Sequence, residues 1–481
     1  MAALIPTLFG GVAAAAVAFV LWLVKINRIM RTTPAEALKI SPNRWTKEEI
    51  VETYRRIEKS PLDWTPHLPP KLDRRYIVVG GSGLVGSALV LQLLARGQDP
   101  STIRIIDFRR PIRPDLLSGP GANVDVTLAD ITSAEATSAA YSKPWPESVT
   151  SRNLPLTVFH IAAIISPSER HPLVYNRCAV VNVDGTANSI AAARAAGADI
   201  FVATSSSSVG QHPVDFFLAP WESEPRGYMQ VLTEEDFYKP IRPPSQFFGN
   251  YAFSKAVGER LVCDANEFPP EGADLSRPGG FRTGIIRPGS PIYGGPQDPV
   301  LGLLLKQKGP SPTFSAPWMQ NWVNSSNVAM AHLLYEQRLL SPQGRALAAR
   351  PFLVTDAGPP PIFEDYYTLA RITVAKNPPV IQYPPPVLLL VLAQLVEWYC
   401  VLLWRFPFLN RVFSEPGFPL YWLQPACFSA SINLIIDDSA ARRSPEQGGL
   451  GYKPLCTTME GMCMQVHNWN ETYSKAEGEG K

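Results

Sequence analysis

The chain has 481 residues, a formal net charge of +2 and 46% hydrophobic residues. This length suits two or three domains, or one large α/β unit with additions. Because the charges are mixed along the chain and form no basic stripe that would neutralise phosphates, we do not expect nucleic acid as a partner. The six cysteines show no short paired spacing, which argues against a zinc site or a thiol redox pair, and no metal site is expected.

The N-terminus carries an apolar run. Residues 2–24 contain no charged side chain and, as a helix, are long enough to cross a bilayer core. Lys25, Arg28 and Arg31 follow the run, whereas a cleaved signal peptide has its positive charge before it and a small-residue cleavage site after it. The pattern favours an uncleaved transmembrane anchor over a signal peptide and places the rest of the chain in the cytosol.

A repeating strand and helix pattern starts after a polar, proline-punctuated stretch. We interpret residues 32–74 as a linker with a short helix over 47–59. From residue 75, short apolar strands alternate with helical stretches, which is typical of a doubly wound parallel sheet. The predicted strands are 76–79, 103–106, 125–128, 157–160, 200–203 and 284–287.

The first predicted strand ends in a glycine-rich turn that leads into a helix. Gly80, Gly83 and Gly86 have the spacing of a dinucleotide fingerprint. One glycine permits the tight turn, one lets the backbone approach a pyrophosphate, and one lets the helix pack against the strand. The pyrophosphate then lies at the positive end of the helix. Asp107 ends the second strand, about 20 residues further on, as the fingerprint requires, so a bound dinucleotide is predicted.

Later strand ends add to this site, since parallel sheets bind ligands at the carboxyl ends of their strands. Asp130 and Ile131 follow the third strand and are placed to contact an adenine ring, with a plain surface turn as the alternative. The fourth strand ends in a small-residue stretch around Ala162, which lets the backbone lie against a diphosphate.

The chemistry is predicted to reside in Tyr251 and Lys255, which are four residues apart and share one helix face. An adjacent ammonium favours the phenolate and lowers the pKa of a tyrosine, which makes it usable as a general acid or base. Ser206, in the serine run after the fifth strand, would hold the substrate oxygen, and Lys255 would also bind the nicotinamide ribose. Ser207 takes the role of Ser206 if the strand ends one residue later.

Together these motifs resemble the extended short-chain dehydrogenases/reductases and, within them, the 3β-hydroxysteroid dehydrogenase family. The matching segments are Gly80 to Gly86, Val181 to Thr186, Thr204 to Ser206, Tyr251 to Lys255, Ile286 to Gly289, Ile292 to Gly294, Asn327 to His332 and Leu450 to Pro454. The resemblance covers residues 75–469 and implies oxidation of a sterol 3β-hydroxyl. In some members this is coupled to Δ5–Δ4 isomerisation, and in others to loss of a 4-carboxyl group.

The resemblance implies a Rossmann domain and a smaller, interrupted C-terminal substrate domain. Together with the apolar N-terminal run, the expected fold is α/β: a Rossmann doubly wound parallel sheet, this substrate domain and an N-terminal transmembrane helix. The expected organisation is an anchor with a basic flank at 1–31, the linker at 32–74, the Rossmann domain at 75–300, the substrate domain at 301–470 with an apolar membrane-associated segment at 385–409, and a polar tail at 471–481. The expected cofactor site comprises Gly80, Gly83, Leu84, Val85, Gly86, Asp107, Asp130, Ile131, Ala162, Tyr251, Lys255 and Pro288.

The choice of cofactor depends on residues at the end of the second strand. Asp107 accepts hydrogen bonds from ribose hydroxyls and repels a 2′-phosphate, whereas Arg109 and Arg110 attract one. Because the acidic residue occupies the strand end itself, NAD is favoured and NADP is the alternative.

Two further regions are considered separately. The first departs from the family pattern, and the second has more than one possible position relative to the membrane. The stretch between Ser206 and Tyr251 is long and rich in aromatic residues, which suits a large apolar ligand or, equally, packing of the loop onto the body. Residues 387–404 are nearly all apolar, but Gln394 and Glu397 interrupt them, which disfavours a spanning helix. An interfacial helix is favoured, with a buried helix as the alternative.

These features predict a membrane-anchored NAD(P)-dependent oxidoreductase that converts the 3β-hydroxyl of a sterol or steroid-like lipid to a ketone, with decarboxylation of a 4-carboxysterol left open. We expect a single-pass protein of the endoplasmic reticulum membrane with a cytosolic catalytic domain; a homodimer or a membrane biosynthetic complex stays open. The alternatives are a nucleotide-sugar epimerase or dehydratase of the same superfamily, which the anchor and the aromatic loop disfavour, and a noncatalytic NAD-binding membrane protein.

Overall fold

A parallel seven-stranded sheet forms the centre of the computed structural model, which describes residues 4–274, 279–295 and 297–478. The strands are β1 Arg75–Val79, β2 Ile103–Asp107, β3 Asp125–Leu128, β4 Leu156–His160, β5 Ala198–Thr204, β6 Met229–Leu232, β7 Arg282–Pro288, β8 Ile292–Tyr293, β9 Ser311–Pro312, β10 Val323–Asn324, β11 Pro351–Val354, β12 Ile381–Gln382 and β13 Asn433–Ile436. The order in the central sheet is β11-β7-β5-β4-β1-β2-β3, and the remaining strands pair in three small ladders.

Helices cover both faces of this sheet and build a second layer beside it. They are α1 Leu4–Met30, α2 Ala35–Ile40, α3 Lys47–Lys59, α4 Leu84–Ala95, α5 Ala134–Ser142, α6 Glu147–Thr150, α7 Asn176–Ala179, α8 Gly185–Ala195, α9 Asn250–Asp264, α10 Leu301–Lys306, α11 Ser325–Leu339, α12 Gly344–Leu347, α13 Phe363–Thr373, α14 Pro386–Arg405, α15 Pro425–Ala430, α16 Ser439–Arg442 and α17 Thr458–Gly478. The tail predicted at 471–481 thus continues α17 as far as Gly478, and residues 479–481 lie outside the described residues.

The six predicted strands are confirmed, and β11 is a seventh strand that the prediction missed. It begins with Pro351 and pairs with β7 at one edge of the sheet, where a strand tolerates a proline. The chain reaches it through α11, which packs against α4. The boundary predicted at residue 300 is therefore wrong for the sheet layer, because residues 325–354 return to it after a first excursion into the second layer.

Aromatic side chains from distant parts of the chain form the core of the second layer. The ring of Phe216 stacks on that of Trp318 at 5.7 Å between centroids, and Tyr228 meets Trp318 edge-on. In the loop that precedes α9, Phe216, Tyr228, Phe237, Phe247 and Phe248 are buried, whereas Trp221 and Tyr238 are exposed. Most of the aromatic residues in this loop therefore pack it onto the body.

Part of residues 32–74, the stretch that the sequence predicts to be a linker, packs into the core of the same layer. The helix predicted over 47–59 is α3, which begins with a capping box between Thr46 and Glu49. Ile50 and Ile57 are fully buried, and α3 packs against α13 and α17. Two apolar residues one heptad apart among many charges were too weak a signal to identify this packing from composition.

Two helices of the described chain are long and apolar enough to cross a membrane, by length and composition alone. The first lies near the N-terminus, where the side chains from residue 11 to residue 21 are exposed. Ile26 and Met30, at the end of α1, are buried in the second layer. The second helix is α14, which is buried along one face only. Residues 2 and 3 of the predicted anchor lie outside the described residues.

Candidate active site

The three glycines of the fingerprint after β1, at positions 80, 83 and 86, have different surroundings. Gly80 has a φ of +81°, and a Cβ there would lie 2.6 Å from the backbone nitrogen of Ala162. A Cβ on Gly86 would collide with the carbonyl oxygen of Gly80, so this glycine allows α4 to approach the strand. A Cβ on Gly83 would meet only that carbonyl, at 3.3 Å. Gly83 precedes α4 and has no side-chain cap, so the first turn of the helix fits a pyrophosphate.

Asp107 lies at the end of β2, directly beside this turn. Its carboxylate accepts hydrogen bonds from the backbone N–H groups of Ser82, at 3.0 Å, and Arg109, at 3.2 Å. The side chain is 6% exposed. The guanidinium of Arg109 points away towards Gln297, 3.5 Å from its amide oxygen. The carboxylate is thus held next to the expected position of the adenosine ribose.

The remaining predicted cofactor residues gather at the same edge of the sheet. Asp130 is exposed and accepts a hydrogen bond from the N–H of Thr132 at 2.9 Å, so its side chain holds a turn. Ile131 is buried against Gly185. The other positions are Leu84 and Val85 at the start of α4, Ala162 after β4 and Pro288 at the end of β7.

The hydroxyl of Ser206 lies near the phenol of Tyr251 and accepts a 3.2 Å hydrogen bond from the N–H of Ser208. Tyr251 is the second residue of α9 and is 8% exposed. Burial raises the pKa of Tyr251 to about 12, and the neighbouring Ser206 hydroxyl opposes this rise. The hydroxyl of Ser207 is buried without a hydrogen-bond partner among the described residues. Of the two serines, the structure therefore brings Ser206 to the tyrosine.

Lys255 lies one turn further along α9, and its ammonium donates a 2.6 Å hydrogen bond to the carbonyl oxygen of Thr204. Burial lowers the pKa of Lys255 to about 8. The predicted lowering of the Tyr251 pKa by this ammonium is not found, because desolvation of the phenol dominates. Ser206, Tyr251 and Lys255 are nevertheless close to the glycine turn, since β5 and β1 both border β4 and end at the same sheet edge.

His332 is a site residue whose role sequence reasoning missed. Its Nδ1 lies 2.8 Å from the carbonyl oxygen of Val328 and its Nε2 lies 2.8 Å from the hydroxyl of Thr204. A carbonyl oxygen only accepts, so Nδ1 carries the proton and Nε2 accepts the hydroxyl proton of Thr204. Burial lowers the pKa of His332 to about 4. The neutral imidazole thus anchors the residue whose carbonyl holds Lys255.

Asn182, on the segment between α7 and α8, is a second site residue whose role sequence reasoning missed. It exchanges two hydrogen bonds with the backbone of Ile164, at 3.0 and 3.1 Å, and donates one to Ser254 at 2.9 Å. These contacts fix the loop after β4 against α9. Both His332 and Asn182 belong to the motifs that carry the family resemblance. Their membership of these motifs is the sequence signal that could have identified them as site residues.

A Rossmann sheet with a glycine turn, a strand-end acid and a Ser, Tyr and Lys set defines a dinucleotide-dependent oxidoreductase of the extended short-chain dehydrogenase type. Residues 77–379 match the model of the 3-beta hydroxysteroid dehydrogenase/isomerase family. The chain belongs to this family. It is therefore an oxidoreductase, and its cofactor is a nicotinamide dinucleotide.

Curated relatives match most of the chain at low identity. It is 26% identical to the decarboxylating sterol-4-alpha-carboxylate 3-dehydrogenase of Schizosaccharomyces pombe, over 83% of this chain and 98% of that protein. It is 27% identical to the decarboxylating enzyme of the same name from Mus musculus, over 82% and 91%. A 3 beta-hydroxysteroid dehydrogenase/Delta 5-->4-isomerase of Mycobacterium tuberculosis is 26% identical, over 81% and 88%.

Solved structures show the same fold. A UDP-glucose 4-epimerase of Stenotrophomonas maltophila with bound NAD has a TM-score of 0.52 at 16% identity, over 84% of this chain and 99% of that one. The epimerase Mth375 of Methanothermobacter thermautotrophicus has a TM-score of 0.52 at 15% identity, over 89% and 96%. At these identities the likeness concerns the fold alone.

Proposed function

We propose that this protein is a membrane-anchored, NAD-dependent enzyme that oxidises the 3β-hydroxyl of a sterol or steroid-like lipid to a ketone. The observation that carries the proposal is the burial of Tyr251 near Ser206 and one helical turn before Lys255, at the sheet edge that also holds the glycine turn. The names of the relatives, which are sterol and 3-beta-hydroxysteroid dehydrogenases, support the substrate class.

The three side chains have distinct roles in this reaction. Ser206 donates a hydrogen bond that orients the substrate oxygen, and Tyr251 takes up the hydroxyl proton at its phenolic oxygen. Lys255, held by Thr204, binds the nicotinamide ribose, and its positive charge favours the phenolate against the dominant effect of burial. When bound, the nicotinamide ring supplies the hydride acceptor. Asp107 favours NAD over NADP because its carboxylate lies beside the glycine turn while Arg109 points away.

Contacts at the end of α1 support the membrane anchor. The indole N–H of Trp22 donates a 2.8 Å hydrogen bond to the carbonyl of Leu218, and the Lys25 ammonium donates one of 2.7 Å to that of Pro220. The helix therefore leaves the body at a defined point, and the body lies close to the bilayer that α1 crosses. The basic residues after the apolar run support a cytosolic orientation of the body, and we propose the endoplasmic reticulum as the membrane.

The orientation of α14 supports an interfacial position. The carboxylate of Glu397 faces the body and forms two 2.6 Å hydrogen bonds with Arg170, while Gln394 donates a third at 3.0 Å. The opposite face is apolar and exposed, and it carries Leu388, Leu392, Leu395, Trp398, Tyr399 and Leu402. A helix whose mid-helix polar groups face the protein and whose opposite face is apolar is suited to lie in the membrane surface.

The proposal is tested with the purified full-length protein in phospholipid nanodiscs. NAD and a panel of 3β-hydroxysterols, with and without a 4-carboxyl group, are supplied, with 3α-hydroxy epimers and UDP-sugars as controls. We expect NADH formation with 3β-hydroxysterols only, and carbon dioxide release from the 4-carboxylated ones identifies decarboxylation. Turnover of UDP-sugars, or no NADH from any sterol, contradicts the proposal.

A further inference from the structure

An exposed apolar segment directly follows α14. This cover segment, residues 406–424, contains two short 3-10 helices, Pro407–Arg411 and Leu420–Trp422. Its exposed apolar side chains are Phe406, Phe408, Val412, Phe413, Phe418, Leu420 and Trp422. Val412 is the most exposed of these seven side chains, at 80%. An apolar surface of this extent marks an interaction site.

The cover segment folds back onto α14 and so enlarges the exposed face of that helix. The Tyr399 hydroxyl donates a 3.0 Å hydrogen bond to the carbonyl of Ser414, and the indole of Trp404 donates one of 2.9 Å to Glu415. The apolar face of α14 and the cover segment therefore form one continuous surface.

The end of the cover segment reaches the candidate active site. It runs directly into α15, where Ala426 belongs to the same buried cluster as Tyr251 and Phe248. Movement of the cover segment therefore acts on the surroundings of the tyrosine that takes up the substrate proton.

Hydrogen bonds centred on Arg177 connect the cover segment to the loop that follows β4. Arg177 donates hydrogen bonds to Glu415 at 2.7 Å, to Tyr421 at 2.8 Å and to Glu169 at 3.0 Å. The Tyr421 hydroxyl also donates to Glu169. The backbone carbonyl of Glu169 in turn accepts a 2.8 Å hydrogen bond from the N–H of Asn250, the first residue of α9.

We propose that the cover segment lies in the headgroup layer of an anionic phospholipid membrane and forms the gate through which the sterol passes, between the segment and α14, towards Tyr251. Arg405 and Arg411 are exposed at its N-terminal end and complement anionic headgroups. The bilayer is its partner because the surface continues that of α14. This inference rests on the membrane orientation and the sterol substrate proposed above.

Contact with the membrane is tested first, without any sterol. Val412→Cys and Leu117→Cys are made in the full-length protein, because Leu117 is a comparably exposed apolar residue, 60% exposed, in the loop after β2 and outside the cover segment. The rate of labelling by a membrane-impermeant maleimide is measured in phosphatidylcholine and phosphatidylserine vesicles. The wild type, measured in the same way, gives the labelling of the native cysteines. We expect Val412→Cys to be labelled about tenfold more slowly than Leu117→Cys, because apolar burial in the interface excludes the reagent. Equal rates overturn the proposal.

The gate is tested by kinetics with sterol supplied in the vesicles. Val412→Asp and Phe413→Asp should each raise the KM for the sterol about fivefold, by about 1 kcal/mol, with kcat and the KM for NAD unchanged. Leu117→Asp is the matched control, and delivery of the sterol by cyclodextrin should abolish the difference. An unchanged sterol KM in vesicles overturns the gate. A wild type that oxidises no sterol overturns the proposed function instead, and the labelling result is unaffected.

Discussion

The cofactor side and the proposed membrane side, called the membrane side below, are built in opposite ways. The cofactor side consists of the glycine turn, Asp107 and the Ser206, Tyr251 and Lys255 set, all at the strand ends and mostly buried. The membrane side consists of α1, α14 and the cover segment, whose apolar side chains face outwards. On the cofactor side the polar groups surround the proposed reaction site, and on the membrane side Gln394 and Glu397 face the body that carries the apolar surface.

The two apolar helices show why composition alone cannot assign the membrane side. Both α1 and α14 are apolar enough to span a bilayer. The spans differ in burial, with 6% of the first and 39% of the second buried. On the inner face of α14, Glu397 accepts hydrogen bonds from Arg170 and from Gln394. The inward direction of these groups favours the proposed interfacial position over a spanning one, and it depends on a residue more than 200 positions away.

If the two sides act separately, changes on one should leave the other intact. The largest expected effect is that of Tyr251→Phe, which removes the proton acceptor and should lower kcat about 10³-fold. NAD binding, followed by fluorescence titration, and partition into vesicles should stay at wild-type values. Residual turnover above one tenth of the wild type would mean that Tyr251 does not take up the proton.

The glycine turn offers a comparison within the cofactor side. Gly83→Ala places a methyl group where only the Gly80 carbonyl is near, so the fold tolerates it, but the pyrophosphate loses backbone contacts. We expect about a 100-fold loss of NAD affinity, equivalent to one or two charge-assisted hydrogen bonds. Gly86→Ala collides with the Gly80 carbonyl and should lower the free energy of unfolding by about 1 to 3 kcal/mol. Thermal melts without NAD should separate the two variants, and equal melting curves would contradict this division.

The cofactor side was largely predictable from sequence because each of its signals is local. The spacing of Gly80 to Gly86, the acid at the end of β2 and the four-residue step from Tyr251 to Lys255 each lie within one strand and helix unit. The structure adds what depends on distant contacts, such as the hydrogen bond of His332 to Thr204. Burial, which raises the pKa of Tyr251, is likewise a property of the packed protein and not of a motif.

The second layer was less predictable because its parts come from separated segments. Strand β6 pairs with β13, which follows it by about 200 residues, and α3 from the predicted linker packs against α17 near the C-terminus. Strand β11 returns to the central sheet after the chain has left it. Such pairings depend on loop closure over long distances, and no local periodicity reports them.

On the membrane side, Glu397→Gln tests how α14 is attached. The variant keeps the shape of the side chain but leaves the Arg170 guanidinium without its charged partner. We expect a loss of about 1 to 3 kcal/mol in the free energy of unfolding, reduced towards the lower value because Arg170 is 39% exposed. Urea unfolding measures this loss. The control is Glu267→Gln, in the exposed ion pair with Arg194, which should lower the free energy of unfolding by less. A larger cost in that control would show that the inward pair does not secure α14.

Asp107→Ala should lower NAD affinity about tenfold, the value of one hydrogen bond to a charged group, and should affect NADP affinity much less. The carboxylate accepts bonds from ribose hydroxyls and repels a 2′-phosphate, so its removal has opposite consequences for the two cofactors. Binding titrations with NAD and with NADP, for the wild type and the variant, give the change in affinity for each cofactor. Equal loss of affinity for both would contradict the assignment of NAD.

The smallest expected effect concerns Thr204, a positioning residue. Thr204→Val removes the hydroxyl that His332 holds, so the carbonyl that binds Lys255 is less firmly placed. Burial already lowers the pKa of Lys255 to about 8, and a weaker hydrogen bond to the ammonium should lower it further. Since the ammonium is lost as pH rises through that pKa, NAD binding should begin to weaken at lower pH in the variant. Titrations between about pH 6 and 9 should show a shift of about half a unit, and Thr204→Ser, which keeps the hydroxyl, should restore the wild-type profile. Identical profiles for all three proteins would limit the role of His332 to packing.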